Sequence, residues 1–339
     1  MMASSHLFHL NSTPPQQSVP GGSRTDATQF NFPVLRDMSL SYLRLSPKGF
    51  REPHWHPNAH ELSYCVAGRA LMTVFSPGAA HDTFIIEPGT LAFVPMGSIH
   101  HIENTGNVPL EMLVCFNHGS PEDLNLSSSI AVMPPSILGE TFKVEPSFFI
   151  DLKAALPPVF IAESDNPYRE EISWMTNRLK MNIGSTQPQI KNKGGWVRMS
   201  NAFLMPSLEG LSMYSLQLEP QGAREPHWHP NAHELNYLIS GKARITLFSP
   251  VQNVDTFDMK AGDMSFLPKG YLHHIENTGA EQASFAIFFN HSAPSDIGLS
   301  GCLGAYPNEL LASLFKVPVS YFDQLPKYQQ DLFVVSGAG

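Results

Sequence analysis

One twelve-residue segment occurs twice in the chain without a change. The segment REPHWHPNAHEL fills residues 51–62 and again residues 224–235, an offset of 173 residues. The same offset relates PMGSIHHIENTG at 95–106 to PKGYLHHIENTG at 268–279. Solenoid repeats have periods of only tens of residues, so this long period indicates two duplicated domains. A chain of 339 residues is long enough for two domains that each bury a core.

Each copy consists of short apolar runs separated by turn residues. In the first copy these runs are Ala70–Phe75, Thr83–Ile86, Leu91–Val94 and Leu110–Phe116, with proline, glycine and asparagine between them. Turn signals at this close spacing predict antiparallel strands in a small barrel or jelly roll. Only 15% of the residues are charged, while prolines (29) and glycines (24) are plentiful. The composition therefore also favours an all-β fold with many turns.

Polar and proline-rich segments set the predicted domain boundaries. Helical pieces are expected at Pro167–Met181 and at Pro307–Phe315, and the run KNKGG at 191–195 is typical of a linker. The predicted organisation is an N-terminal arm over 1–30, an N-terminal barrel with a following loop and helical segment over 31–165, a linker over 166–194, and a C-terminal barrel with a helical segment over 195–330.

Charge and composition exclude several classes of partner. The formal net charge is −9 and no run of Lys or Arg occurs, so neither nucleic acid nor an anionic membrane is expected as a partner.

We find no signal-peptide pattern and no apolar run near the roughly 18 residues that a membrane span needs, so a cytoplasmic protein is expected. Cys65, Cys115 and Cys302 are too few and scattered for a disulfide framework, and the first two are predicted to be buried free thiols.

The repeated segment carries the residues of a metal site. His54 and His56 are two positions apart, so on a strand both imidazoles point to one face. The chain bends at 57–59, which returns Glu61 beside the pair, and His100 begins another strand. Three imidazoles and one carboxylate predict one metal ion per domain, with Mn²⁺, Fe²⁺, Zn²⁺, Ni²⁺ and Cu²⁺ all admitted. The second copy supplies His227, His229, Glu234 and His273.

These ligands lie within two recognisable motifs. The pattern G-x4-H-x-H-x4-E-x6-G over 49–68 resembles the first, germin-like cupin motif, with one residue fewer before the first histidine. The pattern G-x5-P-x-G-x2-H-x3-N over 89–104 matches the second cupin motif, and both recur at 222–241 and 262–277. The chain is identified as a bicupin. The resemblance implies two tandem cupin barrels, each a double-stranded β-helix or jelly roll, with short helical segments after each barrel.

The sequence around the histidine pair is similar to one activity class among the bicupins. Residues 51–59, REPHWHPNA, resemble the R-E-x-H-W-H-P-N-A run of bicupin oxalate decarboxylases. This resemblance implies manganese, dioxygen as a co-catalyst, conversion of oxalate to formate and CO2, and a homo-oligomer (trimer or hexamer). Arg51 and Arg224 occupy the place of the arginine that holds the oxalate carboxylate. A guanidinium beside the metal can bind one carboxylate of a small dianion through two parallel charge-assisted hydrogen bonds.

In that family a lid after the last strand of the N-terminal barrel carries a proton-relaying carboxylate. The corresponding segment here is 119–129, so Glu122 and Asp123 are the candidate relay residues. Pro121 and Leu124 interrupt the family's lid pattern.

The second copy departs further from the family. Family members carry a glutamate on the last strand of the second barrel, whereas this chain has the apolar run 285–289, and Asp296 is the nearby acid. The chemistry is therefore expected at the first site. Two alternatives stay open: an oxalate oxidase or Fe/Cu-dependent dioxygenase bicupin, recognised by other products, and a non-enzymatic metal- or small-molecule-binding bicupin, recognised by binding without turnover.

Overall fold

The structure, a computed structural model, describes residues 4–155, 159–165, 177–250 and 253–337. The chain divides into two compact units. The N-terminal unit comprises Leu10–Ser185 and Met205–Leu211, and the C-terminal unit comprises Met1–His9, Thr186–Leu204 and Ser212–Gly339.

The N-terminal unit contains two antiparallel sheets. One has the strand order β14-β9-β6-β11-β4-β3-β2, and the other has the order β12-β5-β10-β7-β8, with β13 also paired to β5. The strands are β2 Gln17–Val19, β3 Gly22–Ala27, β4 Ser39–Leu45, β5 Gly49–Trp55, β6 Glu61–Ala67, β7 Ala70–Ser76, β8 Ala80–Ile86, β9 Thr90–Val94, β10 His100–Asn104, β11 Leu110–Phe116, β12 Leu124–Asn125, β13 Ile161–Glu163 and β14 Lys180–Asn182.

The C-terminal unit repeats this arrangement. Its sheets have the orders β1-β22-β19-β24-β17-β16-β15 and β21-β20-β23-β18-β25, with β26 also paired to β18. The strands are β1 Leu7–Phe8, β15 Ile190–Asn192, β16 Gly195–Ser200, β17 Ser212–Leu218, β18 Gly222–Trp228, β19 Glu234–Ser240, β20 Lys242–Ser249, β21 Asn253–Lys260, β22 Met264–Leu267, β23 Leu272–Asn277, β24 Ala283–Phe289, β25 Ile297–Gly298 and β26 Val334–Ser336.

Alternation of apolar and polar residues explains these strands. On β20, Ala243, Ile245 and Leu247 are buried in the core, whereas Lys242 and Arg244 are exposed. A period of two places the apolar set on one face of a sheet, and burying that face drives the sheet to fold over the core. The predicted all-β bicupin fold is confirmed.

Short helices follow each barrel, as predicted. They are α1 Leu126–Val132, α2 Pro135–Phe142, α3 Pro146–Ala155, α4 Leu299–Ala305 and α5 Asn308–Phe315, with 3-10 helices at Leu10–Ser12, Ile183–Ser185 and Val319–Gln324. The helix predicted at Pro167–Met181 falls mostly at 166–176, outside the described residues. Its described end is wrong as a helix, because Lys180 and Met181 extend a sheet by pairing with Ala92 and Leu91 of β9. No helix in the described ranges is long and apolar enough to cross a membrane.

The segments predicted to be an arm and a linker contribute strands. Within 1–30, β1 joins the C-terminal unit, while β2 and β3 join the N-terminal unit. The described part of 166–194 supplies β14 to one unit and β15 to the other. The exact domain boundaries stay a prediction.

Cys65 and Cys115 are buried and free, as predicted.

The asparagine of the second cupin motif fastens a turn to the barrel. Asn104 Nδ2 donates to Leu45 O at 3.0 Å and to Val108 O at 2.9 Å, and its Oδ1 accepts from Gly106 N at 2.9 Å. Replacing Asn104 by alanine removes three hydrogen bonds and leaves the buried Leu45 carbonyl without this donor, so we expect the free energy of unfolding to fall by about 3 kcal/mol. Denaturant titration measures this, with the exposed Asn107→Ala as the control, and an equal, small effect of both substitutions contradicts it.

Candidate active site

The structure brings the four predicted ligands of the N-terminal unit together. The ligand atoms of His54, His56, Glu61 and His100 lie within 4.8 Å of one another, and all four side chains are buried. Glu61 Oε2 is 3.1 Å from Nε2 of His56 and 3.1 Å from Nε2 of His100. Because Glu61 lies on one sheet while His54 and His100 are paired on the other, the two sheets face each other across this cluster.

The second copy forms an equivalent cluster in the C-terminal unit. Its members are also buried and lie within the same 4.8 Å limit. Glu234 Oε2 is 2.8 Å from His229 Nε2, 3.2 Å from His273 Nε2 and 3.8 Å from His227 Nε2. Each cluster can therefore hold a metal ion.

A β-bulge places an arginine on the same face as the first ligand. On β5, His54 pairs with His100 and Arg51 pairs with Ile102, so Glu52 and Pro53 together oppose the single residue His101. The extra residue shifts the alternation, and Arg51 and His54 both point inward although they are three positions apart. Proline is tolerated at a bulge because its missing N–H breaks no ladder bond there. The same register shift occurs on β18.

Backbone carbonyls fix the orientation of the imidazoles. The Nδ1 atoms of His54, His56 and His100 lie 2.8 to 3.0 Å from the carbonyl oxygens of Glu52, Glu122 and Ser98. The three histidines of the second cluster make the same kind of contact, to carbonyl oxygens of Glu225, Ser295 and Tyr271. An Nδ1–H that donates to a carbonyl leaves Nε2 as the lone-pair atom, and Nε2 is the atom that faces the carboxylate in His56 and His100 of the first cluster and in all three histidines of the second.

The protonation states suit metal binding. Burial, together with the nearby His100 and Arg51, holds the pKa of His54 well below its usual value, so this imidazole is neutral. Burial opposes ionisation of Glu61, but His100 and His56 outweigh it and hold the pKa of Glu61 well below its usual range. Burial also lowers the pKa of His56, but Asp123 and Glu61 raise it to about 9. A cation at Nε2 of His56 would take the place of this proton.

The second carboxylate contains an unpaired buried oxygen. In the first cluster, Ser63 Oγ donates to Glu61 Oε1 at 2.7 Å. Asn236 stands at the corresponding position, and Glu234 Oε1 is buried without a hydrogen-bond donor among the described residues. A buried carboxylate oxygen without a donor is costly unless a cation neutralises it. The donor set of three imidazoles and one carboxylate thus fits a divalent transition-metal ion at both sites.

Buried arginines lie beside both clusters. The Arg51 guanidinium stacks 3.5 Å from the Phe160 ring centroid, and its Nη1 donates to Asn125 Oδ1 at 2.8 Å. Arg224 stacks at the same distance on Phe333 and donates to its carbonyl. Burial lowers the pKa of Arg51 to about 10, which leaves the guanidinium charged at neutral pH.

Of the two candidate relay acids, Asp123 faces the cluster. Its carboxylate lies 3.0 Å from His56 Nδ1 and 3.5 Å from Arg51 Nη2. The Glu122 side chain is exposed, and this residue contacts the cluster through its carbonyl oxygen. Burial opposes ionisation of Asp123, but Arg24, His56 and Arg51 hold its pKa well below the usual range. In the second copy Asp296 takes the same place and forms an ion pair with Arg224.

Arg24 is a site residue that the sequence analysis missed. It lies on β3, within the segment predicted to be an arm, and borders the cavity that contains Arg51 and the metal cluster. The internal repeat gives no signal for it, because the position 173 residues later is Val197.

Paired antiparallel sheets that enclose three histidines and one glutamate, repeated in two units, define a metal-binding bicupin. The family model described as Cupin matches residues 8–148 and 181–320, and the chain belongs to the cupin family.

The relatives with the same architecture include oxalate decarboxylases. The chain is 26% identical to the oxalate decarboxylase OxdC of Bacillus subtilis over 315 residues, covering 91% of this chain and 81% of that protein. It is also 26% identical to a probable oxalate decarboxylase of Arthroderma benhamiae, covering 97% and 82%. A solved structure of the Bacillus subtilis enzyme, studied for its Mn(II) centres, superposes with a TM-score of 0.88 at 25% identity, covering 100% of this chain and 90% of that one.

Proposed function

We propose that the protein is a manganese-dependent oxalate decarboxylase that converts oxalate to formate and CO2 at the N-terminal site. The observation that carries the proposal is that the buried Arg51 borders the cavity of the metal cluster and that Asp123, an acid of the following loop, contacts both Arg51 and the ligand His56. The similarity to oxalate decarboxylases over more than nine-tenths of the chain supports the same activity.

The metal would be held by His54, His56, Glu61 and His100. Manganese, when bound, supplies Lewis acidity and one-electron chemistry at this position. The protein excludes bulk water from the site, because all four side chains are buried. It also fixes the direction of each Nε2 through the carbonyl contacts of Nδ1.

Arg51 would bind and orient the substrate. Its Nη2 has no hydrogen-bond partner among the described residues, while Nη1 is fixed by Asn125 and by the carbonyl of Phe160. A guanidinium held in this way presents its free N–H groups to a carboxylate without a further loss of side-chain freedom.

Asp123 would move the proton. Monoanionic oxalate differs from formate plus CO2 only in that one proton passes from oxygen to carbon while the C–C bond breaks. The Asp123 carboxylate is ionised and lies beside Arg51, so one of its oxygens would accept the carboxyl proton of the bound oxalate and return it to the carbon that becomes formate.

Metal replacement and oxygen removal test the proposal together. Protein stripped of metal is reloaded with Mn²⁺, Fe²⁺ or Zn²⁺ and incubated with oxalate, with and without dioxygen, while formate and hydrogen peroxide are measured. We expect formate with manganese in the presence of dioxygen, and at most ~1% of that rate with zinc, which has no redox chemistry. Peroxide as the main product supports the oxidase instead. Binding of oxalate without any product supports a binding protein.

The proposal includes a homo-oligomer, either a trimer or a hexamer. Sedimentation of the purified protein tests this part separately, and a monomer at micromolar concentration contradicts it.

A further inference from the structure

The cavity of the N-terminal unit contains a second buried guanidinium. Arg24 is 8% exposed, and its Nε donates to Asp26 Oδ1 at 2.6 Å. Its Nη1 donates to Asp123 Oδ2 at 2.7 Å. Arg51 Nη2 lies 3.5 Å from the other oxygen of the same carboxylate. The Asp123 carboxylate therefore lies between two arginines.

The C-terminal site has no counterpart of Arg24. The equivalent residue is Val197, which borders the second cavity. Tyr214 also borders that cavity and corresponds to Ser41 of the first. Asp296 forms its ion pair with Arg224. The two sites thus share one arginine with an aspartate beside it but differ in the second guanidinium.

The Asp123 carboxylate occupies space that a ligand would need. The cavity beside the metal cluster has a volume of about 20 Å³, which admits roughly one water molecule. A carboxylate ligand can reach both arginines only when Asp123 leaves. Asp123 Oδ1 lies 3.0 Å from His56 Nδ1, but its contact with Arg51 Nη2 is longer, at 3.5 Å, and Arg51 Nη2 makes no well-formed hydrogen bond within the described parts of the chain. A contact of this length is easier to replace by a ligand than a well-formed hydrogen bond.

We propose that Arg24 is a specificity-determining residue, and that Arg24 and Arg51 form a two-arginine clamp for the distal carboxylate of a small dicarboxylate. Asp123 occupies the clamp until the ligand displaces it. The C-terminal site, with Val197, has no clamp and does not prefer dicarboxylates over monocarboxylates. The inference rests on the proposed function in one respect, that the ligand is a carboxylate.

Calorimetric titration with malonate and with acetate tests the clamp without requiring turnover. The manganese-loaded full chain carries His227→Ala and His273→Ala, so that the N-terminal site is measured alone. Arg24→Val, which introduces the residue of the second copy, is expected to weaken malonate binding at least ~10-fold and acetate binding less than ~3-fold, because it removes a charge-assisted bond to the second carboxylate. Arg24→Lys is expected to recover part of the malonate affinity.

Asp123→Asn is expected to change malonate affinity in the opposite direction to Arg24→Val. Removing the competing charge should tighten malonate binding by ~3-fold or more, which a purely structural role of Arg24 does not predict. The clamp is overturned when Arg24→Val leaves malonate affinity within ~2-fold, when acetate weakens by the same factor, or when Asp123→Asn does not tighten malonate binding. Should Arg24→Val fail to fold, the malonate affinities of Arg24→Lys and Asp123→Asn distinguish the clamp from a purely structural role of Arg24. Absence of formate from oxalate contradicts the proposed function but leaves the malonate test valid.

Discussion

Replacing His54 and His100 together by alanine is expected to remove one of two metal ions per chain. Formate production should fall at least ~10³-fold, because the bound ion stabilises the charge of the transition state by several kcal/mol. The two residues are paired across β5 and β10, so their loss removes half of the donor set. Elemental analysis and a formate assay on the same preparation measure both effects.

The matched control is the equivalent pair in the second copy. His227 and His273 are paired across β18 and β23 in the same way. Their replacement by alanine should remove the other ion, whereas formate production should stay within ~3-fold, because the Arg24 and Asp123 contacts of the first site are untouched. Full activity after loss of the first pair, or complete inactivation by loss of the second, contradicts the assignment of the chemistry to the N-terminal site.

Asp123→Asn is expected to lower decarboxylation at least ~10²-fold while the metal content stays unchanged, because the amide cannot accept and return a proton. The substitution preserves the size of the side chain beside Arg24 and Arg51. The readouts are formate production at saturating oxalate and the metal-to-protein ratio.

Glu122→Gln is the neighbouring control. Its side chain is exposed, and its carbonyl contact with His56 does not depend on the side chain. Formate production should therefore stay within ~2-fold. Inactivation by Glu122→Gln with an active Asp123→Asn would reverse the assignment of the relay, and equal, modest losses would argue that neither acid carries the proton.

The strands and the grouping of the ligands could be predicted because they follow from local spacing. Two histidines at i and i+2 share a strand face, and the turn after them brings Glu61 back beside the two imidazoles. The inward direction of Arg51 did not follow from that rule. A period of two puts Arg51 and His54 on opposite faces, and only the bulge at Glu52 and Pro53 brings both inward.

Other features depended on partners distant in sequence. Lys180 and Met181 are extended because β9 offers a sheet edge, which local sequence does not reveal. Arg24 lacked any signal in the repeat. By contrast, the stacking partners Phe160 and Phe333 share the offset of 173 residues, so following the repeat beyond its identical segments would have found them.

Incubation of the manganese-loaded protein with ¹³C-labelled oxalate, with NMR detection of the labelled products, distinguishes decarboxylation from oxidation and from binding without turnover. We expect one formate and one CO2 for each oxalate consumed, without hydrogen peroxide. Two CO2 and one hydrogen peroxide for each oxalate, or unchanged oxalate at full metal occupancy, would contradict a decarboxylase.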